Sequence, residues 1–193
     1  MQRRQFLKQT ATVGAGLVIG FHLPVRSLLA QPPAGAPPAP SPPNAFVRIA
    51  PDNTITVISK HTEMGQGVYT GLATMMADEL DADWSQMRVE AAPANVNLYR
   101  HLMLGIQGTG GSMSVPNAWM QYRTVGATAR AMLITAAAKS WKVPAGEITT
   151  SNGVLSHKSG KSAKYGEFAL SAAKLPKYKP LYDYSGVQPT RYK

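Results

Sequence analysis

The sequence predicts an α+β fold, with one small, mostly antiparallel sheet packed against two main helices. Three observations carry this. Short β-branched runs bounded by turn residues occur at 46–59 and again at 147–157. Between them lie two stretches with helical period, 68–80 and roughly 116–141. The chain has 193 residues, 44% hydrophobic and 16% charged, which is ordinary for a globular core in one or at most two domains.

Taken in order, residues 1–30 read as a signal peptide. Arg3-Arg4-Gln5-Phe6-Leu7-Lys8 precedes an apolar stretch from Ala11 to Leu23 and the small-residue exit Ser27-Leu28-Leu29-Ala30. The paired arginines resemble the twin-arginine export signal, which implies a periplasmic protein, at the outer face of the inner membrane, exported already folded. The apolar stretch is too short and too rich in glycine and alanine for a membrane span. Residues 31–45 are dominated by proline and alanine and form a semi-rigid spacer.

The folded block is expected over 46–175. Phe46 to Ala50 and Thr54 to Ser59 are two strands joined across Pro51-Asp52-Asn53, which pairs them as a hairpin. A glycine-framed turn, His61 to Gly67, leads into a helix with Leu72, Met75, Met76 and Leu80 on one face. The two methionines read as core filler. Asp78, Glu79, Asp81 and Asp83 crowd the end of this helix and read as a solvated acidic face. Met87 to Ala91 is a third strand, and 93–108 is an irregular loop in which Arg100 and His101 read as solvated. Thr109 to Pro116 is a second turn rich in small residues, with Ser114 placed to cap the alanine-rich helix that follows. Ser151-Asn152-Gly153 marks a hairpin, Lys158 to Lys161 a turn, and Tyr165 to Lys174 a short helix. Residues 176–193 read as an unstructured basic tail.

Composition excludes several functions. With no cysteine, the chain holds no disulfide, no iron–sulfur cluster and no cysteine-based zinc site. His22, His61, His101 and His157 lack metal-ligand spacing, and no nucleophilic triad or paired carboxylate is visible, so no catalytic or metal residue is assigned. The net charge of +10 resides at the two ends. Residues 1–30 carry four basic side chains and no acid, 31–157 carry eight of each, and 158–193 carry eight basic against Glu167 and Asp183. A neutral centre offers no basic face, and a nucleic-acid partner is rejected.

Two turns carry the chemistry. At each, a glycine-rich segment meets a helix start, where backbone N–H groups and the helix dipole receive anionic oxygen. The first is Thr62-Glu63-Met64-Gly65-Gln66-Gly67 and the second Thr109-Gly110-Gly111-Ser112-Met113-Ser114. These turns and their spacing resemble the molybdopterin-binding domain of the xanthine oxidase/aldehyde oxidoreductase family, over about residues 45–175. A twin-arginine leader directly ahead of the block resembles the isoquinoline 1-oxidoreductase β-subunit type, which includes the large subunit of membrane-associated aldehyde dehydrogenases.

The resemblance implies a partial molybdopterin-binding domain within a molybdenum hydroxylase that oxidises an aldehyde or an N-heterocycle with water-derived oxygen. It implies molybdopterin cytosine dinucleotide as cofactor, contacted by Gly65, Gln66, Gly67, Gly110, Gly111, Ser112 and Ser114. The implied partners are the remainder of the large subunit, a separate 2Fe–2S small subunit and a cytochrome c electron acceptor. Family large subunits are several times longer, and no residue here matches their catalytic glutamate, for which Glu63 is no substitute. Beyond Leu175 the sequence departs from the family pattern, as a truncated or frame-shifted reading frame would. The chain alone is therefore expected to be inactive. The reading from another class is an exported, non-catalytic module that keeps the fold without cofactor.

Overall fold

A computed structural model describes residues 46–175. The signal peptide, the linker and the basic tail expected from the sequence lie outside the described residues. Within them the chain is α+β, with the element order β1 (Val47–Ile49), β2 (Ile55–Ser59), α1 (Val68–Leu80), β3 (Met87–Ala91), α2 (Val96–Tyr99), α3 (Ser114–Trp141), β4 (Ile148–Ser151), β5 (Val154–His157), β6 (Ser162–Lys164) and α4 (Tyr165–Ala173).

The strands form two three-stranded sheets, not one. β1 and β2 pair antiparallel with Ile49 opposite Ile55, across the Pro51–Asn53 turn that the sequence marks. β3 then pairs parallel to β2, with Ile55 opposite Met87, because α1 carries the chain back across the sheet. β2 is thus central and buried along its whole length. The second sheet, β4-β5-β6, is antiparallel throughout, and its third strand occupies residues that follow the predicted Lys158–Lys161 turn.

The two main helices pack on each other and on the first sheet. Leu72, Met75, Met76 and Leu80 are all buried, as their period predicts. α3 runs from Ser114, two residues earlier than expected, and buries Ala118, Tyr122, Val125, Ala129 and Leu133. The helices approach closely at Gly126, where an added Cβ would lie 2.9 Å from Glu79 Cβ and 3.0 Å from the Met76 carbonyl. Tyr122 fixes α3 to the end of β2, donating to the Ile58 carbonyl at 2.7 Å and accepting from the Lys60 N–H at 3.0 Å. Its ring lies edge-on to Phe46.

The acidic run at the end of α1 is not the solvated face expected. Glu79 is buried and paired with the buried Arg123 of α3, whose guanidinium also lies over the Trp119 ring. Asp81 takes a left-handed cap conformation, and its carboxylate accepts from the Thr150 hydroxyl at 2.8 Å. Asp83 accepts from the Ser85 N–H and caps a short 3-10 turn. Helix α4 returns to the first sheet at Gly166, whose N–H reaches Asn53 Oδ1 at 2.9 Å. A Cβ there would lie within 2.8 Å of three oxygens of the β1–β2 turn. Among the described residues no helix is long and apolar enough to cross a membrane.

Candidate functional site

The two glycine-rich turns, far apart in sequence, lie side by side. The Thr62 N–H donates to Thr109 Oγ1 at 2.7 Å, and His61 Nδ1 faces the Gly108 carbonyl at 3.1 Å. Gly65, Gln66 and Gly67 are exposed at the start of α1; Gly110, Gly111 and Ser112 are exposed before α3, and Ser114 is its half-buried first residue. All seven predicted contact residues therefore belong to one paired edge.

The two turns are not equivalent as anion receptors. At the first, the Glu63 carboxylate already accepts from the N–H groups of Gly65, Gly67 and Tyr69, at 2.8 to 2.9 Å. These bonds hold its carboxyl below the usual carboxylate range. The Gln66 side chain is also turned inward, accepting from the Met64 N–H and donating to the Thr62 carbonyl. The sequence reading treats these donors as open to a ligand; the chain's own acid fills them. Gly65 (φ 97°) and Gly67 (φ 82°) still leave a surface without side chains, with nothing within 4 Å of where a Cβ would stand.

The second turn is open. The N–H groups of Gly110, Gly111, Ser112 and Ser114 make no hydrogen bond among the described residues. Ser114 does not cap α3, as the sequence suggests; the cap position is Met113, which supplies no side-chain acceptor. The helix start therefore retains its donors, where the dipole favours an anion. Ser112 stands at φ 56°, a left-handed conformation that costs a non-glycine residue about 1 kcal/mol.

Behind the turns lies a buried basic group that sequence reasoning missed. Lys60, His61 and His101 are 3%, 1% and 0% exposed. Lys60 Nζ donates to Gln121 Oε1 at 2.7 Å, and burial lowers its pKa to about 8. Burial also lowers His61 to about 4, aided by the charge of Lys60 and opposed by the Gly108 bond. Because a carbonyl only accepts, His61 carries its proton on Nδ1 and leaves Nε2 a bare acceptor. His101 is the complement. Its Nδ1 accepts from the Met103 and Leu104 N–H groups, so Nε2 carries the proton. The two rings meet edge to face at 5.6 Å, and neither Nε2 has a partner among the described residues. His101 is therefore a buried anchor, not the solvated loop residue that its surroundings suggest. No sequence signal marks either histidine, since each is a lone residue in a turn or loop.

The sequence model of the molybdopterin cofactor-binding domain family matches residues 1–189. The chain belongs to this family. The match extends beyond Leu175, where the sequence reading ends the resemblance, and includes the residues ahead of the folded block. This molybdopterin cofactor-binding domain is 34% identical, over 98% of its length, to the isoquinoline 1-oxidoreductase subunit beta of Brevundimonas diminuta. It is 31% identical, over 86% of its length, to a membrane-bound aldehyde dehydrogenase of Gluconacetobacter polyoxogenes whose name includes pyrroloquinoline quinone. It spans only 26% and 21% of those two proteins.

Among solved structures it is similar to quinoline 2-oxidoreductase of Pseudomonas putida 86, with a TM-score of 0.51, 22% identity, and coverage of 69% of this chain and 17% of that one. It is also similar to the CO dehydrogenase of Oligotropha carboxidovorans, with a TM-score of 0.52, 23% identity, and coverage of 65% and 15%. These likenesses show the fold. The chain is a partial molybdopterin-binding domain of the xanthine oxidase family, and the relatives it matches are several times longer.

Proposed function

We propose that this chain is the N-terminal cofactor-binding segment of a molybdenum hydroxylase large subunit that oxidises an aldehyde or an N-heterocycle with water-derived oxygen. The observation that carries the proposal is the Thr62–Thr109 hydrogen bond, which seats both family turns at one edge. The residues fit an anionic pterin dinucleotide, though unequally. Gly110, Gly111, Ser112 and Ser114 would hold its charged oxygens with their free N–H groups and hydroxyls. Gly65, Gln66 and Gly67 would admit the pterin or its pyrophosphate closely, through the absence of side chains more than through donated hydrogen bonds. When bound, the molybdenum–pterin group supplies the redox and oxygen-transfer chemistry. This chain's residues bind and orient it. Glu63 does not serve as a general base, because its carboxylate is committed to the first turn.

On the same reading the cofactor is molybdopterin cytosine dinucleotide, and the segment is inactive until the remainder of the large subunit completes the site. Electrons leave through a separate 2Fe–2S subunit toward a cytochrome c. The twin-arginine leader supports export to the periplasm, at the outer face of the inner membrane. One observation favours a second reading, an exported module that keeps the fold without cofactor: Glu63 already fills the donors of the first turn.

The test is to express residues 31–193 with and without the reading frame that follows, and to assay molybdenum, cytidine nucleotide and pyrroloquinoline quinone in each preparation. Molybdenum with cytidine nucleotide in the longer preparation is the expected result. Its absence from both sinks the proposal, and quinone in its place would transfer the site to the chemistry named for the aldehyde dehydrogenase relative.

A further inference from the structure

The loop between α2 and the second turn combines two properties that rarely occur together. Its backbone is held at five successive N–H groups, from His101 to Gly105. The His101 N–H donates to the Ile106 carbonyl at 2.7 Å and the Gly105 N–H to the His101 carbonyl at 2.9 Å. The Met103 and Leu104 N–H groups both end on the ring of buried His101, and the Leu102 N–H ends on Asn117 Oδ1 at 2.8 Å. The Gln107 side chain staples the loop's exit to Pro93 and Asn95. Yet the side chains this frame holds outward are apolar: Leu102, Met103, Leu104 and Ile106 are 45%, 69%, 57% and 59% exposed.

A loop that only connects elements would place polar groups in water. A contiguous apolar group held by a set of backbone hydrogen bonds is instead the signature of a contact surface. Its position is equally specific. It ends at Ile106, three residues before Thr109, and through His61–Gly108 the loop is braced against the first turn as well.

We propose that Leu102, Met103, Leu104 and Ile106 form the docking surface for the remainder of the large-subunit polypeptide, beside the cofactor turns. This rests on the reading of the chain as a segment of that subunit. The occupant follows from length: the chain spans 26% and 21% of its two curated relatives, so about three quarters of such a subunit lies beyond the matched stretch. A polypeptide of that size closing over the turns meets this loop at their rim. Burying its side chains on assembly costs little ordering, because the backbone is already fixed.

The test co-expresses the full chain with the part of the Brevundimonas diminuta subunit that it does not match, tagged for capture. Three forms of the chain are compared: wild type, Met103→Asp/Leu104→Asp, and Leu170→Asp, the last altering an exposed apolar residue of α4. The expected result is capture of wild type and Leu170→Asp, and loss of capture by the double variant on the order of tenfold or more, with its melting temperature unchanged. Equal capture of the double variant overturns the proposal, as does failure of the wild type to be captured. If the loop substitutions instead dissolve a homodimer, the occupant is a second copy and the proposal also fails. Molybdenum in the captured complex is measured separately. Capture without metal refutes the cofactor reading and leaves the docking surface standing.

Discussion

Replacing Lys60 with methionine should stabilise the isolated chain. Lys60 is 3% exposed, bonded to Gln121, and forms no ion pair among the described residues. Burial lowers its pKa from 10.5 to about 8. At neutral pH the lysine is charged in both the folded and unfolded chain, and the folded one bears the cost of holding that charge away from water. The stabilisation conferred by a lowered pKa is complete only above 10.5 and is lost as pH falls through about 8. At 1.36 kcal/mol per pH unit, the gap corresponds to about 3 kcal/mol of stability missing at pH 7. Methionine keeps the apolar stem and forfeits a hydrogen bond worth about 1 kcal/mol, so Lys60→Met should gain about 2 kcal/mol at pH 7. Urea denaturation of both proteins from pH 7 to 10 measures this, and the variant's advantage should shrink as pH rises. A variant less stable at pH 7, or an advantage that does not change with pH, would refute the reasoning. If the assembled subunit places an anion beside Lys60, the same substitution should become destabilising there.

Three further outcomes follow from the structure. His61 is neutral when folded, and its lowered pKa supports the fold fully above 6.5; about 3 kcal/mol of that should vanish as pH falls to about 4. His61→Gln should flatten the acid limb of a stability–pH curve over that interval, and an unchanged limb would exclude the assignment. Gly126→Ala should cost about 1–2 kcal/mol in urea denaturation, since overpacking against Glu79 and Met76 outweighs the gain in helix propensity; an unchanged or higher midpoint would contradict the close approach. Glu63→Ala should lower the melting temperature at pH 7 and do so progressively less as pH falls from the ordinary carboxylate range through the lowered pKa of Glu63, because that carboxyl supports the fold only where it is ionised. Destabilisation that does not change with pH would mean that the carboxylate is not the acceptor.

What the sequence discloses divides along physical lines. The face of α1, the β1–β2 and Asn152-Gly153 turns and the length of α3 are legible because local period and turn chemistry determine them. The parallel pairing of β3 is not, since β3 reads like any short amphipathic strand and its neighbour is set by how α1 packs. Glu79 looks like one member of a solvated acidic run until Arg123, from a helix begun far downstream, is placed against it. The two turns are legible as glycine-rich helix starts. Their difference is not, because it depends on where the Glu63 carboxylate points and on whether Ser114 lies outside the helix or within it.

That difference determines what this edge can do. A helix start can receive a dinucleotide anion only with donors it has not already used, and Gly65 and Gly67 have used theirs on Glu63. On the proposed reading, electrostatic affinity must therefore come from the N–H groups of Gly110, Gly111, Ser112 and Ser114, while the first turn supplies a surface without side chains, fixed by its own carboxylate. The Thr62–Thr109 bond and the His61–His101 contact join the two at fixed separation. Substitutions at the second turn should then weaken binding through charge and respond to salt, whereas substitutions at Gly65 or Gly67 should weaken it through shape and respond little. The buried basic group behind both turns gives a reason for the arrangement. On the proposed reading, Lys60 would raise the local positive potential without exposing a flexible side chain to the ligand, and the fold bears that cost in the free chain.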